Sequence, residues 1–241
     1  MSNNPFFEDS LARRYEQWYE VGEGRRADLL EKKLLGRLLD GFDTGLDKPS
    51  ALDPSRAQPK GFSDIQSLLE IGCGTGHFTR YFAEFLPSVV GLDISPAMLK
   101  EARSRNADKE IPYLVGDALR LPFSDASFDV VAFITTLEFI DEPQQALKEA
   151  GRVARRGLLL GVLNAHSLMG IARRLEGMKK TTIYNQAHFY SVGELSKLLR
   201  KSFSNRRSEL FWRTTLFPKL ALIKESALPF GGFIGMRVVF D

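Results

Sequence analysis

From Ser67 onward, short apolar runs alternate with amphipathic helical patterns, and no other feature restricts the fold as strongly. This alternation is typical of a parallel sheet whose strands are joined by crossover helices. Because helices pack on both faces of such a sheet, the sequence predicts a doubly wound α/β architecture. The predicted strands cover residues 67–71, 89–93, 111–116, 128–134 and 157–163.

Further patterns flank this core on both sides. Helical patterns cover residues 9–20 and 25–39, and a loop rich in Pro, Ser and Asp at 43–64 separates them from the first strand. Ser191 and Glu194 fit a capping box that begins a further helix, and two β-rich runs at 208–217 and 233–240 predict a C-terminal antiparallel hairpin. A chain of 241 residues usually forms one α/β domain, so we expect a single domain with a seven-stranded sheet.

The single cysteine and the lack of a long apolar run restrict the environment of the chain. Cys73 alone forms neither an intramolecular disulfide nor a multi-cysteine metal site, which agrees with a reducing compartment. No apolar run approaches the ~20 residues of a membrane span, and the N-terminus lacks a signal-peptide pattern. No two of the three histidines have metal-ligand spacing. We expect a cytoplasmic protein without a membrane segment or a metal.

A glycine-rich turn connects the first predicted strand to the next helix, where residues 70–76 read E-I-G-C-G-T-G. Its glycines allow a sharp bend and a close approach to a ligand, and the helix N-terminus directs free amides at that position. The spacing differs from the G-x-G-x-x-G pattern that binds a pyrophosphate. The Glu70 carboxylate would repel a pyrophosphate but suits an ammonium group. Any tight strand-to-helix turn also uses glycines, so this motif needs support from other residues.

Two more carboxylates follow the next two strands. Asp93 ends the second strand, and its side chain can accept two hydrogen bonds from a ribose diol. A capping role is the alternative, but Ser95 already caps the following helix. Asp117 follows the third strand, where it can accept from an adenine amino group while the Ala118 amide donates to a ring nitrogen. Ligands bind at the carboxyl edge of parallel strands, so these acids predict a site there.

Four segments together resemble the motif series of class I S-adenosylmethionine-dependent methyltransferases, particularly the branch that includes ubiquinone and menaquinone biosynthesis enzymes. These are E-I-G-C-G-T-G, L-D-I-S-P-A-M-L, V-G-D-A-L-R-L-P-F and S-F-D-V-V, in the usual order and spacing. The resemblance covers roughly residues 68–163 and implies a Rossmann-like fold with a cofactor-binding core at 65–163. It implies an N-terminal lid at 1–42 and a substrate-side segment with the hairpin at 164–241.

The resemblance also implies a role for each motif. The glycine loop would hold the methionine part of S-adenosylmethionine, Asp93 the ribose, Ile94 and Met98 the adenine faces, and Asp117 with Ala118 the adenine edge. Related enzymes begin with a similar Tyr-x-x-Trp segment that covers the cofactor, although an aromatic cluster is also commonly packed on its own domain. The implied cofactor residues are Glu70, Gly72, Cys73, Gly74, Gly76, Asp93, Ile94, Met98, Asp117, Ala118, Thr135, Tyr15 and Trp18.

The segment from Thr135 to Phe139 follows the fourth strand, beside the sulfonium in this family. It lacks the Asn/Asp-Pro-Pro-Tyr motif of enzymes that methylate amino groups of nucleic acids, which argues against a nucleic-acid partner. We expect an in-line displacement in which an acceptor nucleophile attacks the methyl group, and proximity contributes most of the rate. Glu138 and His166 are the candidate bases if the acceptor must lose a proton.

Charge is distributed unevenly along the chain. Residues 152–241 hold 16 Lys and Arg against 5 Asp and Glu, whereas the preceding part is acidic. This split predicts a small anionic acceptor, bound by basic residues of the segment 164–190 and by Arg213 beside Trp212, although such side chains often face only water. Two alternatives stay open: an RNA methyltransferase, and a protein that binds the cofactor without turnover.

Overall fold

A central eight-stranded sheet organises the protein in the computed structural model, which describes residues 16–44, 64–106, 110–167, 187–218 and 225–241. The parallel strands are β1 (Ser67–Ile71), β2 (Ser88–Asp93), β3 (Tyr113–Val115), β4 (Phe128–Ile134) and β5 (Ala154–Leu163). The antiparallel strands are β6 (Ser208–Thr215), β7 (Glu225–Ser226) and β8 (Phe233–Phe240). The strand order is β3-β2-β1-β4-β5-β8-β6-β7.

Among the described residues, five helices connect and cover the strands. They are α1 (Gly22–Thr44), α2 (His77–Ala83), α3 (Pro96–Ser104), α4 (Pro143–Val153) and α5 (Val192–Ser202), with a short helical segment at 16–20 and a 3-10 turn at Leu137–Phe139. The predicted caps are present: the Ser95 hydroxyl accepts from the Met98 amide, and the Ser191 hydroxyl accepts from the Glu194 amide. Local sequence signals therefore fix where α3 and α5 begin.

The helices form two layers, one on each face of the sheet. Leu147 of α4 and Leu195 of α5 belong to the buried cluster on one face. Leu35 of α1 and Phe82 of α2 belong to the cluster on the other face. This arrangement confirms the predicted doubly wound architecture with a C-terminal antiparallel hairpin.

The sheet differs from the prediction in its strand count. We expected seven strands, but the two-residue strand β7 pairs with the end of β6 and adds an eighth at the edge. β8 lies between β5 and β6, so the last strand of the chain connects β6 to the parallel strands. A two-residue strand has no periodicity to detect, which is why the sequence did not reveal it.

Two predicted segments fall largely outside the described residues. Only residues 16–20 of the first predicted helix are described, and only the ends of the loop predicted at 43–64 are. In the described part of the chain, no helix combines the length and the apolar character needed to cross a lipid bilayer.

Candidate cofactor site

The glycine loop runs from the end of β1 into α2 and contains three residues with left-handed backbone. Gly72, Gly74 and Gly76 have φ values of 67°, 54° and 75°. L-residues with a side chain rarely adopt this conformation, so the turn requires glycine. A Cβ atom at Gly72 would overlap the Thr136 side chain, but a Cβ at Gly74 would have no heavy atom within 4 Å. Among the described residues, the space on the Cβ side of Gly74 is therefore open.

Asp93 holds this loop from the neighbouring strand. Its Oδ2 atom accepts a hydrogen bond of 2.7 Å from the Gly74 amide, and its Oδ1 atom accepts one of 2.8 Å from the Ser95 amide. Burial raises the pKa of Asp93, and the backbone amides oppose that rise. Each carboxylate oxygen keeps one lone pair, so Asp93 can still accept hydrogen bonds from a ligand.

Ile94 and Asp117 lie beyond the carboxyl ends of β2 and β3. The two strands are paired there, since Asp93 is opposite Val115. Ile94 is 56% exposed, which is unusual for a large aliphatic side chain and leaves an apolar surface next to the loop. Asp117 is exposed and its Oδ1 atom accepts from the Leu119 amide at 2.8 Å, while Ala118 is half-buried. An apolar face beside a carboxylate suits a flat ring that carries an amino group.

Three predicted cofactor residues in or near the glycine loop are buried. Glu70 is 1% exposed and its Oε2 atom accepts a hydrogen bond of 2.5 Å from the Thr79 hydroxyl, which connects β1 to α2. Burial raises the pKa of Glu70 to about 8. Cys73 and Met98 are also buried, and burial raises the pKa of the Cys73 thiol. The structure gives these residues packing and positioning roles, and their contact with a cofactor stays a prediction.

The segment after β4 touches the glycine loop from the other side. The Thr135 amide donates to the Gly161 carbonyl at 2.7 Å, and Thr135 has a φ of 49°. The Thr136 hydroxyl donates to the Gly72 carbonyl at 2.9 Å. Sequence reasoning chose Thr135 for the cofactor site and missed Thr136, because only folding brings residues 64 positions apart into contact.

The two candidate bases occupy different environments near the carboxyl ends of β4 and β5. Glu138 is 1% exposed, and its Oε1 atom accepts a hydrogen bond of 2.7 Å from the Leu163 amide. Its Oε2 atom is buried with no hydrogen-bond partner among the described residues, and burial raises the pKa of Glu138 to about 8. His166 is exposed, and its amide donates to the Asn164 side chain at 3.0 Å.

The aromatic residues of the N-terminal segment are partly described. Tyr15 lies outside the described residues. Trp18 is 38% exposed and meets Tyr19 edge-on, with ring centroids 4.8 Å apart. Tyr19 is buried and stacks on the His77 ring at 4.0 Å, so Tyr19 is the aromatic residue that attaches this segment to α2. A contact between Trp18 and the cofactor stays a prediction.

Both ends of the predicted substrate-side segment 164–190 lie at the carboxyl end of β5. The Ala165 amide donates to the Tyr190 carbonyl at 2.9 Å, and the Tyr190 amide donates to the Leu163 carbonyl at 3.2 Å. The basic residues predicted to bind an anion within this segment lie outside the described residues. They are Arg173, Arg174, Lys179 and Lys180.

The predicted pairing of Arg213 with Trp212 at one acceptor site is wrong. Trp212 is opposite Met236 and packs against the cluster that contains α4 and α5. Arg213 is opposite Gly235, whose Cα faces Leu34 of α1. Successive side chains of a strand point to opposite faces of the sheet, so these two residues cannot hold one small molecule together.

The described residues offer no group of three or more His, Cys, Asp or Glu side chains arranged to hold a metal ion. The polar groups at the carboxyl edge are instead carboxylates, hydroxyls and backbone amides spaced along β1, β2 and β4. Such groups can bind an organic ligand with several hydroxyl and amino groups.

The region that builds the site matches a protein family. Residues 69–160 match the family described as a methyltransferase domain, and this range includes the glycine loop, Asp93, Asp117 and Glu138. An uncharacterized protein of Methanocaldococcus jannaschii is 29% identical over 195 residues, which cover 80% of this chain and 78% of that protein. The similarity therefore extends well beyond the matched domain.

Two proteins with named activities are also similar. A demethylmenaquinone methyltransferase of Renibacterium salmoninarum is 35% identical over 141 residues, which cover 58% of this chain and 54% of that enzyme. The chain thus spans about half the length of that relative. The crystal structure of an S-adenosylmethionine-dependent methyltransferase of Thermotoga maritima, a possible histamine N-methyltransferase, is 27% identical with a TM-score of 0.66. That similarity covers 98% of both chains.

Proposed function

We propose that this chain, a class I S-adenosylmethionine-dependent methyltransferase, transfers the methyl group of S-adenosylmethionine to a small-molecule acceptor. The observation that carries the proposal is the accessible backbone of Gly74, held by Asp93 at the point where β1 and β2 end. Ligands of doubly wound sheets bind at this edge.

The residues at this edge fit the cofactor chemically. A nucleoside needs acceptors for its hydroxyl and amino groups and an apolar surface for its ring, which Asp93, Asp117 and Ile94 supply. The cofactor also carries a cationic sulfonium, and the acidic character of this half of the chain suits it. We assign the ribose to Asp93, the adenine to Ile94 and Asp117, and the methionine part to the glycine loop.

When bound, S-adenosylmethionine supplies a methyl group that its sulfonium activates toward in-line displacement. The protein contributes by fixing the groups around it. Asp93 and Thr136 hold the glycine loop from two sides, which orders the loop before a ligand arrives. The Glu138 carboxyl group has a pKa of about 8, and its Oε2 atom has no hydrogen-bond partner among the described residues. It is our first candidate for the base that removes a proton from the methyl acceptor. His166 is the second.

The small-molecule acceptor is supported by the names of the relatives. Demethylmenaquinone and histamine, which appear in the names of the two similar methyltransferases, are both small molecules. We further propose an anionic acceptor, for which Arg213 supplies a half-buried guanidinium on the face of the sheet that α1 covers. Only the charge of Arg213 supports this anionic acceptor, because Trp212 lies on the other face of β6.

Transfer of labelled methyl groups tests the proposed function. The protein is incubated with S-adenosylmethionine labelled on the methyl group and with panels of small amines, phenols, thiols and carboxylates, and separately with bulk RNA. We expect label in small molecules and none in RNA. Label in RNA alone would indicate the RNA methyltransferase alternative. Measured binding of S-adenosylhomocysteine without transfer to any acceptor would indicate a binding protein.

A further inference from the structure

Glu16 connects the N-terminal segment 16–20 to the glycine loop. Its Oε1 atom accepts a hydrogen bond of 2.6 Å from the Thr75 hydroxyl and one of 2.9 Å from the Arg80 guanidinium. Arg80 also donates to the Thr75 carbonyl at 2.7 Å. Glu16 is 4% exposed, and a carboxylate is buried to this degree only when it is paired. Thr75 is thus held through both its hydroxyl and its carbonyl, between two glycines of the loop.

His77 continues the same contact toward α1. Its Nδ1 atom lies 3.6 Å from Glu16 Oε2, and its Nε2 atom lies 2.6 Å from Asp28 Oδ1. The ring stacks on Tyr19 at 4.0 Å with an interplanar angle of 11°. One imidazole therefore stands between two carboxylates and against an aromatic ring, and it joins the segment 16–20, α1 and α2.

We propose that Glu16, His77 and Asp28 form an ionic clamp, which fastens segment 16–20 to the cofactor loop more tightly while the His77 ring carries a proton on both nitrogens. Glu16 and His77 are then positioning residues, because they act on the cofactor through Thr75. The inference rests on the proposed cofactor site. It adds that cofactor affinity depends on pH through a residue outside the contacts assigned to the cofactor.

The charges around His77 favour its protonated form. Glu16 and Glu20 face it from the N-terminal segment, and Asp28 faces it from α1. Five more charged groups surround the His77 ring. They are the cations Lys32, Arg80 and Arg105 and the acids Glu84 and Glu70. Burial lowers the pKa of His77, but its bonds to Asp28 and Glu16 outweigh burial and the repulsion by Lys32, and the pKa is raised above 6.5.

The Glu16 carboxylate stays charged over the whole range in which His77 titrates. Burial raises the pKa of Glu16, but hydrogen bonds from His77, Thr75 and Arg80 lower it to about 2. A group with a raised pKa stabilises the folded contact below its unfolded pKa, and the contribution is lost as the pH rises through the folded pKa. The clamp is therefore complete near pH 6 and weakens as the pH rises past the raised pKa of His77. A surface pocket of about 320 Å³ lined by His77 and Asp28 admits water to the clamp.

Calorimetry of S-adenosylhomocysteine binding between pH 6 and 9, together with limited proteolysis of the N-terminal segment, tests the clamp. The variants are Glu16→Gln and His77→Gln. Glu209→Gln is the control, because Glu209 is exposed on β6 and is not among the groups that face His77, and the substitution removes the same charge. We expect wild-type affinity to fall across this range, and Glu16→Gln to bind roughly tenfold more weakly at pH 6. His77→Gln should bind weakly with a smaller pH dependence than wild type, and Glu209→Gln should match wild type.

The proteolysis separates failure of the clamp from failure of the proposed function. Faster cleavage before residue 22 in Glu16→Gln and in wild type at high pH supports the clamp without reference to a cofactor. An unchanged pH profile in His77→Gln, or equal cleavage of all four proteins at every pH, would overturn the clamp. If wild type binds no S-adenosylhomocysteine at any pH, the proposed function fails, and the link from clamp to cofactor fails with it.

Discussion

The Asp93 carboxylate accepts a hydrogen bond of 2.7 Å from the amide of Gly74, so the end of β2 holds the loop that follows β1. The two residues are 19 positions apart in the chain, and β1, which precedes the loop, is the parallel neighbour of β2. Because Asp93 binds the loop and also borders the proposed site, its removal affects the loop and the ligand together. A test of Asp93 must therefore measure folding and binding separately.

Asp93→Ala should weaken binding of S-adenosylmethionine by about 1–3 kcal/mol, since it removes an ionised acceptor and leaves two amides unpaired. The free energy of unfolding should fall as well, without loss of the fold. Calorimetry and urea unfolding measure the two effects. Asp129→Ala is the control, because the buried Asp129 accepts from the Gln66 and Ser67 amides at the amino edge of the sheet. Equal affinity losses in both variants would remove Asp93 from the site.

Gly74→Ala should lose cofactor affinity while keeping most of its stability. The added methyl group meets no atom of the described protein, and the left-handed backbone costs about 1–2 kcal/mol. The methyl group occupies the space proposed for the ligand. Gly72→Ala should be less stable than Gly74→Ala, because its Cβ overlaps Thr136. Comparison of melting temperatures and binding constants would contradict this idea if Gly74→Ala bound the cofactor as wild type does.

Ile94→Ala should bind the cofactor about 1–2 kcal/mol more weakly if adenine packs on this side chain. Its stability should change little, because Ile94 is 56% exposed in the protein alone. Leu228→Ala makes a matched control, because this side chain is 49% exposed and lies two residues after β7, the outermost strand on the far side of the sheet from β2. An affinity loss of the same size in both variants would show that Ile94 is not specific to the site.

Glu138→Gln should change how stability depends on pH. Burial raises the pKa of Glu138 from 4.5 to about 8, so the folded state holds this proton more tightly than the unfolded state. Stability therefore falls as the pH rises from about 4.5 toward 8. The glutamine keeps an acceptor for the Leu163 amide and cannot ionise, so Glu138→Gln should be more stable than wild type at pH 9. Urea unfolding midpoints of both proteins at pH 5, 7 and 9 test this prediction. The same change of midpoint with pH in wild type and Glu138→Gln would refute it.

Arg213→Ala should reduce the preference for anionic acceptors over matched neutral ones. A guanidinium binds a carboxylate through two parallel hydrogen bonds, and alanine removes both. Rates with paired acceptors that differ only in a carboxylate and its amide provide the measurement. Trp212→Ala serves as the comparison, because Trp212 lies on the other face of β6. An anionic preference that survives in Arg213→Ala, or is absent in wild type, would end this account of specificity.

The sequence alone determined the architecture of this protein and the edge of the sheet at which we propose the cofactor site. Periodicity and capping depend on neighbours within a few positions, so β1 and β4 were placed at their observed bounds, and Ser95 and Ser191 were assigned correctly as caps. The order of strands then placed the glycine loop and two acids at one edge. Strand alternation also places Trp212 and Arg213 on opposite faces of β6, so the sequence already contained the reason why they do not share one site.

Only the tertiary structure decided which distant side chains contact the glycine loop of the proposed site. Glu16 reaches Thr75 across 59 positions, and Thr136 reaches Gly72 across 64. One acid among several in an N-terminal helix has no local signal, and no local pattern links His77 to Glu16 or Asp28. Such contacts are fixed by how the segment 16–20 and the turn after β4 pack against the glycine loop. That packing depends on the whole core, so no short window of sequence contains it.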